Sequence, residues 1–323
     1  MEAGVLVTGA SGFLGSHIVK KLIQKNYFVT GTFRRDNLPP TLSDITSRNL
    51  RLEKIDISDP NTDFSRLMQN HQYVIHVAAK TGDWDIGNSF TKVNVEATRK
   101  ILNESDRHRV VKKLVYISSI AVHGFGNHTA TTEEGPYYPL INPYQNTKAK
   151  AEEMVLSLNS SFLGTTALRP GNIYGPGDTT TFFPIFDALR KGIMGYLGNG
   201  HTLTSVVYVE DMADAVILAL ESDASHGEVF NIVGRDIVTW QDLLELSSEL
   251  LHVSPPKVKL PKKVANAFSS VFDILYRIFR IESAPPITRY RADQLTNNYH
   301  FVSTKASKLL GFEPRYDLKS GLQ

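Results

Sequence analysis

Thr8-Gly9-Ala10-Ser11-Gly12-Phe13-Leu14-Gly15 follows directly on the apolar run Val5-Leu6-Val7 and opens an amphipathic stretch. An unbroken Val/Leu run without polar alternation fits a parallel strand covered on both faces. Gly9 permits a tight turn, Gly12 lets backbone approach a pyrophosphate, and Gly15 allows close packing of the following helix. That helix would present unpaired N–H donors and the positive end of its dipole to an anion, with Ser11, Phe13 and Leu14 completing the loop. A glycine-rich turn alone is compatible with a purely structural loop. Strand, turn and helix in sequence point instead to a bound dinucleotide.

Outward from this turn the chain keeps one rhythm. Short β-rich runs at 5–8, 28–33, 50–55, 73–78, 113–118 and 165–168 alternate with helical patterns that include 15–25, 90–107 and 144–158. This predicts an α/β fold with a doubly wound parallel sheet of the Rossmann type. After Arg169 the rhythm breaks at RPGNIYGPGD. Residues 1–171 are therefore read as the nucleotide-binding domain, with 206–233 returning to it as a strand and helix. Residues 172–205 and 234–323 form a smaller, partly helical substrate-binding portion.

Composition narrows the function. The 323 residues carry 35 Lys+Arg against 33 Asp+Glu, a net +2, with no charged block. No concentrated basic face is visible, so a nucleic-acid partner is not expected. Cysteine is absent, which removes disulfides, thiolate catalysis and zinc–sulfur sites. The ten histidines show no metal-ligand spacing, and no metal is expected. MEAGVLVTGA resembles no secretory leader, and no stretch approaches the ~18 apolar residues of a span. The expectation is a soluble, cytoplasmic protein.

The second strand ends Thr30-Gly31-Thr32-Phe33-Arg34-Arg35. An apolar residue stands where an acid would accept from ribose hydroxyls, and two guanidiniums follow. Arginine forks match the oxygens of a 2′-phosphate, so NADP(H) is favoured over NAD(H). Asp56, with Ile57 after it, closes the third strand where a carboxylate can accept from the adenine amino group. His76-Val77-Ala78-Ala79-Lys80 ends the fourth with small residues against which a cofactor can lie. In Tyr144-Gln145-Asn146-Thr147-Lys148 the phenol and ammonium share one helical face. A nearby ammonium favours tyrosinate and should lower the phenol's pKa. Ser119, after Tyr116-Ile117-Ser118, is placed to orient a substrate oxygen.

Together TGASGFLG, DIS, HVAA, YISS, YQNTK and LRPGNIYGPG resemble the extended short-chain dehydrogenase/reductase family over essentially the whole chain. HVAAKTGDW, VVYVEDMADAV, KVKLPKKVANA and KLLGFEP are similar to its 3β-hydroxysteroid dehydrogenase branch, and FRR is similar to the NADPH-using dihydroflavonol 4-reductases. The resemblance implies Tyr144 as acid/base, Lys148 on the cofactor ribose and Ser119 on the substrate oxygen. It implies Asn94 in a supporting or proton-relay position, and Pro170, Asn172 and Ile173 near the nicotinamide. It also implies a homodimer through the helices at about 90–107 and 144–158. Where sugar epimerases of the family read VYG, this chain has Val122-His123-Gly124. His123 is left open between substrate contact and a solvated loop residue.

The expected function is an NADP(H)-dependent interconversion of a secondary alcohol and a ketone on a lipophilic, steroid-like, 3-ketoacyl-like or flavonoid-like substrate. Alternatives are an NAD-retaining nucleotide-sugar epimerase or dehydratase and a non-enzymatic NADP(H) sensor. Val264, Phe268, Val271, Leu275 and Ile278 within 262–281 form one apolar stripe at helical spacing. It is read either as a core-facing helix or as a lid over the pocket, and its arginines also suit a membrane surface.

Overall fold

Val5 and Val7 pack with one hydrophobic cluster and Leu6 with another, so the first strand has a core on each face. The computed structural model describes residues 3–34 and 38–323. Its main sheet has strands β1 (Gly4–Thr8), β2 (Phe28–Phe33), β3 (Leu50–Lys54), β4 (Tyr73–His76), β5 (Lys113–Ile117), β6 (Gly164–Pro170) and β7 (Val229–Ile232). They are parallel, in the order β7-β6-β5-β4-β1-β2-β3. Helices α1 (Phe13–Gln24), α2 (Ala97–Arg107), α3 (Pro143–Ser157) and α4 (Val209–Glu221) cover the two faces. Ile18, Val19 and Leu22 of α1 join Met212 and Val216 of α4 on one side. Ile101 and Leu102 of α2 join Ala151 and Val155 of α3 on the other. The doubly wound architecture is as expected, and each expected strand lies within a few residues of its place.

Three local readings are corrected. Val206–Tyr208 does not enter the main sheet but pairs with Asn172–Tyr174 in a sheet of two strands. The free edge of β6 is taken by β7, in the register Val229↔Ala167, so the return to the sheet is made by α4 and β7. The stretch 90–107 is not one regular helix: a π-helical turn at Thr91–Glu96 precedes α2. Asn94 lies within that turn, and such turns recur at functional sites.

The third correction concerns the C-terminal portion. Helix α5 spans Lys262–Ile278, but the stripe Val264, Phe268, Val271, Leu275 and Ile278 faces solvent. The inward seam lies one residue on, at Ala265, Ser269, Phe272 and Tyr276, where Ala265 and Ser269 are fully buried. Small residues let α5 approach the body closely, and the larger apolar stripe is left outside. The core-facing reading of that stripe is therefore wrong. Helix α6 (Arg289–Thr296) packs beneath α5.

Arg169 at the end of β6 is fastened to α3. Its guanidinium donates to Glu152 through Nε at 2.9 Å and Nη2 at 2.5 Å, with both side chains buried. Nη1 meets His123 Nε2 at 2.9 Å and the Tyr137 hydroxyl at 3.0 Å. A buried pair of this kind adds little net stability over an apolar pair, yet losing one partner costs about 3–5 kcal/mol.

Candidate active site

The sequence-derived residues gather at the carboxyl ends of the strands, beside the point where the sheet runs in opposite directions from β1. Order reversal opens a crevice there. Gly9 adopts φ +70°, and a Cβ on it would lie 2.8 Å from the Ala78 Cα. A Cβ on Gly15 would lie 2.1 Å from the Gly9 carbonyl oxygen. Both contacts draw the turn, the helix and the end of β4 together. Gly12 is exposed, and only the Gly9 oxygen lies near its Cβ position, at 3.2 Å. Gly12 caps α1 without a side-chain bond, so among the described residues no side chain takes the first-turn N–H groups, which can face an anion. Open Gly12, uncapped α1 and tight Gly9 fit a dinucleotide pyrophosphate.

Arg34 is exposed at the end of β2. Asp56 Oδ1 accepts from Ser58 N at 2.8 Å and Ser58 Oγ at 2.6 Å. Partial burial works against its charge, but the Ser58 bonds and the Arg34 guanidinium hold its carboxyl below the usual value. A cation and an acid thus stand together where the adenosine end would lie. Ile57 beside them is buried. Arg35 lies outside the described residues.

Tyr144 and Lys148 sit on α3, whose start is readable from Asn142-Pro143. Asn142 Oδ1 accepts from Tyr144 N at 2.7 Å, and proline at the first helical position loses no bond. Lys148 Nζ donates to the Ile117 carbonyl at 2.6 Å and lies 4.7 Å from the Tyr116 ring centroid. Burial depresses the Lys148 pKa to about 7, against the opposing pull of Glu152. For Tyr144 the expected lowering is not what the fold produces: burial raises the phenol above its ordinary value, and hydrogen bonding to Ser119 opposes that rise. The ammonium is turned to the Ile117 carbonyl. Ser119 Oγ also accepts from Ala121 N at 3.1 Å, capping the short turn Ile120–His123.

Asn94 is buried and fully bonded. Its Oδ1 accepts from Lys80 N at 2.8 Å, and its Nδ2 donates to the Lys80 carbonyl at 3.0 Å and Thr147 Oγ1 at 3.2 Å. These bonds tie the post-β4 loop to α3 through Asn94. The Lys80 ammonium is committed to Asp85 and Ser89, and its backbone N–H and carbonyl are both taken by Asn94. Asn172 is held by Thr204 and Gln294, each at 3.1 Å. Pro170 is buried at the end of β6, and Ile173 packs partly against the core. His123 is not a solvated loop residue. It is buried, stacks on Tyr137 at 4.4 Å and meets Arg169, and burial with the Arg169 charge depresses its pKa to about 3.

Several site residues escaped the sequence reading. Tyr290 of α6 meets Tyr144 edge-on at 6.5 Å and Phe125 at 4.7 Å, and Phe90 lies 6.2 Å from Tyr144. Phe90 and Tyr290, and not the outward stripe of α5, flank the phenol, with Phe125 behind Tyr290. Asp83 accepts from Thr288 Oγ1 and from Arg291 Nη2 at 3.0 Å, and its carbonyl accepts from Asn142 Nδ2 at 2.7 Å. One residue thereby ties α6 to the cap of α3. Asn142-Pro143 was a local signal for one end of this link. The pairing of Asp83 with residues some two hundred positions away had none.

The model of the NAD dependent epimerase/dehydratase family matches residues 5–233, and the chain belongs to that family, the extended short-chain dehydrogenases/reductases. It is an enzyme of dehydrogenase/reductase type with a nicotinamide dinucleotide cofactor. Among its relatives, 2-alkyl-3-oxoalkanoate reductase of Stenotrophomonas maltophilia is 28% identical over 99% of this chain and 97% of that protein. The decarboxylating sterol-4-alpha-carboxylate 3-dehydrogenase of Schizosaccharomyces pombe is 28% identical over 99% and 95%. The crystal structure of UDP-glucuronic acid 4-epimerase from Bacillus cereus in complex with NAD has the same fold, with TM-score 0.78, 24% identity, and 99% and 96% coverage.

The lowered Lys148 value sets a stability slope. From pH about 7 up to the ordinary lysine range the native chain binds fewer protons at this position than the unfolded chain, so this group makes stability rise with pH there. Lys148→Met removes that contribution. The melting-temperature difference, variant minus wild type, should be most positive at pH 7 and below and should shrink by about pH 9. A difference that stays constant from neutral to alkaline pH would place the lysine in an ordinary solvated setting.

Proposed function

We propose that this protein interconverts a secondary alcohol and a ketone on a lipophilic substrate, using NADP(H). The observation that carries the reading is the placement of Ser119, Tyr144 and Lys148 at the strand ends, with the Tyr144 ring flanked by Phe90 and Tyr290 and Phe125 packed behind Tyr290. When bound, the nicotinamide supplies or accepts the hydride. Ser119 Oγ donates to the substrate oxygen and steadies its developing charge. Tyr144 exchanges the hydroxyl proton, and a phenol raised by burial is protonated at neutral pH, the form that carbonyl reduction needs. Lys148 holds the ribose hydroxyls on the same helical face as Tyr144. The relatives named for a 3-oxoalkanoate and a sterol carboxylate act on lipophilic molecules, which supports the substrate class. A cytoplasmic location is part of this reading.

The competing reading, a nucleotide-sugar epimerase with retained NAD⁺, draws support from its likeness in fold. Its sugar-nucleotide pocket would have to be built beside three aromatic rings. Tyr144→Phe separates the outcomes, together with a screen of NADPH oxidation against steroid, 3-ketoacyl and flavonoid ketones. Turnover should fall about 10²-fold or more, with cofactor affinity within a few fold of wild type, because only the transferable proton is lost. Residual activity above about a hundredth would remove Tyr144 as acid/base. Tightly held NAD⁺ with no NADPH consumption would favour the epimerase.

Cofactor choice rests on Arg34, the described guanidinium at the β2 end. Arg34→Ala should weaken NADPH about ten- to hundredfold, the loss of one charge-assisted phosphate contact, and leave NADH nearly unchanged. Equal weakening of both in a fluorescence titration would show that Arg34 reads no 2′-phosphate.

The homodimer through α2 and α3 is retained as a proposal with a different basis. Of the apolar residues at helical spacing in these stretches, Ile101, Leu102, Ala151 and Val155 are consumed by the protomer's own core. The outward residues Lys92, Glu96, Arg99, Lys150 and Glu153 carry both signs of charge, which suits self-pairing about a twofold axis. Light scattering at micromolar concentration should give twice the chain mass of 36.0 kDa. The mass of a single chain would overturn it.

A further inference from the structure

Helix α5 carries its larger apolar side chains into water. Val264, Phe268, Val271, Leu275 and Ile278, with Phe279 just beyond, are between 37% and 70% exposed. The five helical positions recur at steps of four and three, so they form one ridge along the helix. An uncovered ridge of this length on a monomer marks an interaction surface. What covers it is indicated by charge. Residues 257–281 hold Lys257, Lys259, Lys262, Lys263, Arg277 and Arg280 against a single acid, Asp273. This short segment is net +5 in a chain of net +2, so the remainder of the molecule is net negative. Asp273 is itself turned into the protein, where its carboxylate accepts from the Arg289 backbone.

We propose that α5 docks this protein on an anionic lipid surface, with the ridge entering the acyl boundary and the basic residues lying among the headgroups. A helix with an apolar ridge, basic flanks and no length to span a bilayer lies in the interface plane. Among the described residues no helix is long and apolar enough to cross a membrane. A second copy is a poorer occupant, because a symmetric contact would set one +5 segment against another. The segment also stands close to the reacting end. Trp84 Nε1 donates to the Ile281 carbonyl at 3.1 Å, Tyr276 meets the Trp84 ring edge-on at 6.0 Å, and Arg277 lies 4.8 Å from that ring. Below α5, helix α6 presents Tyr290 to Tyr144. A docked protein therefore stands with its site one helical layer from the bilayer. The docking itself holds whatever reaction the site performs.

The test is co-sedimentation of the full chain with vesicles of phosphatidylcholine alone and of phosphatidylcholine with about 30 mol % phosphatidylglycerol. Wild type should partition at least about tenfold more strongly to the anionic vesicles. Phe268→Glu with Ile278→Glu should abolish binding to both, and Lys257→Glu with Lys263→Glu should bring the anionic vesicles down to the neutral level. All four positions are exposed, so melting temperatures should match wild type and a binding loss cannot be a folding loss. Absence of wild-type binding to either vesicle, or variants that bind like wild type, would overturn the proposal. A doubled mass that Phe268→Glu with Ile278→Glu halves, without vesicle binding, would assign the ridge to a second copy and overturn it equally. NADPH turnover on a soluble ketone, measured without lipid, should be unchanged in both variants. Loss of that turnover in wild type would count against the oxidoreductase reading and leave the docking result standing.

Discussion

The backbone contact between the turn after β1 and the end of β4 is the constraint from which the site follows. Gly9 and Ala78 approach so closely that one methyl group on Gly9 would collide with the Ala78 backbone. The contact is bolted beneath by Thr8 Oγ1, which meets His76 Nδ1 at 2.7 Å and accepts from Ala78 N at 3.2 Å. His76 Nε2 continues the chain to Thr98 Oγ1 on α2 at 2.9 Å. Burial, and after it the Lys148 charge, depress the His76 pKa to about 3, so the ring stays neutral and serves as a hydrogen-bonding strut. With β1 and β4 held at this spacing, α1 aims its N-terminus across the crevice where the winding reverses.

Helix α3 is secured from both ends by polar side chains. At its start Asn142 caps the Tyr144 amide and is itself held by Asp83, which also grips Thr288 and Arg291. One turn beyond Lys148, Glu152 meets Arg169 at the end of β6. The Glu152–Arg169 pair is not the cheapest way to fill space, since paired buried charges recover little beyond their desolvation cost. What they contribute is geometry, because a bidentate guanidinium–carboxylate contact has one orientation. Tyr144 and Lys148 lie between the two fixed points, and α6 is brought over them by the first.

Burial also biases the protonation of the site. The same enclosure raises Tyr144 and lowers Lys148, because both charged forms lose hydration. The phenol is thereby held neutral, and the Lys148 pKa is lowered to about 7. On the opposite side of the molecule's energetics, α5 leaves apolar surface unburied. Its Ala265 and Ser269 let the helix sit close, and that close approach rotates the bulky ridge outward.

Local chemistry was enough to announce the nucleotide-binding half. Continuous Val/Ile/Leu runs announced doubly covered strands, glycines at Gly9, Gly12 and Gly15 announced the turn, and Tyr144 and Lys148 announced one helical face. Each of these signals is carried within a few residues, where backbone sterics and period decide the outcome. Asn142-Pro143 belongs with them as a cap. The partners of Asp83, the aromatic wall from Phe90, Phe125 and Tyr290, and the burial of His123 against Arg169 join residues far apart in the chain, and no local pattern encodes such a meeting. Helix α5 shows the boundary most clearly. The sequence by itself determined that 262–278 is an amphipathic helix, because periodicity requires only the chain's own geometry. Which of its two adjacent stripes turns inward was decided by the tertiary structure, since closeness of packing, set by Ala265 and Ser269 against the body, outweighed the bulk of the more hydrophobic ridge.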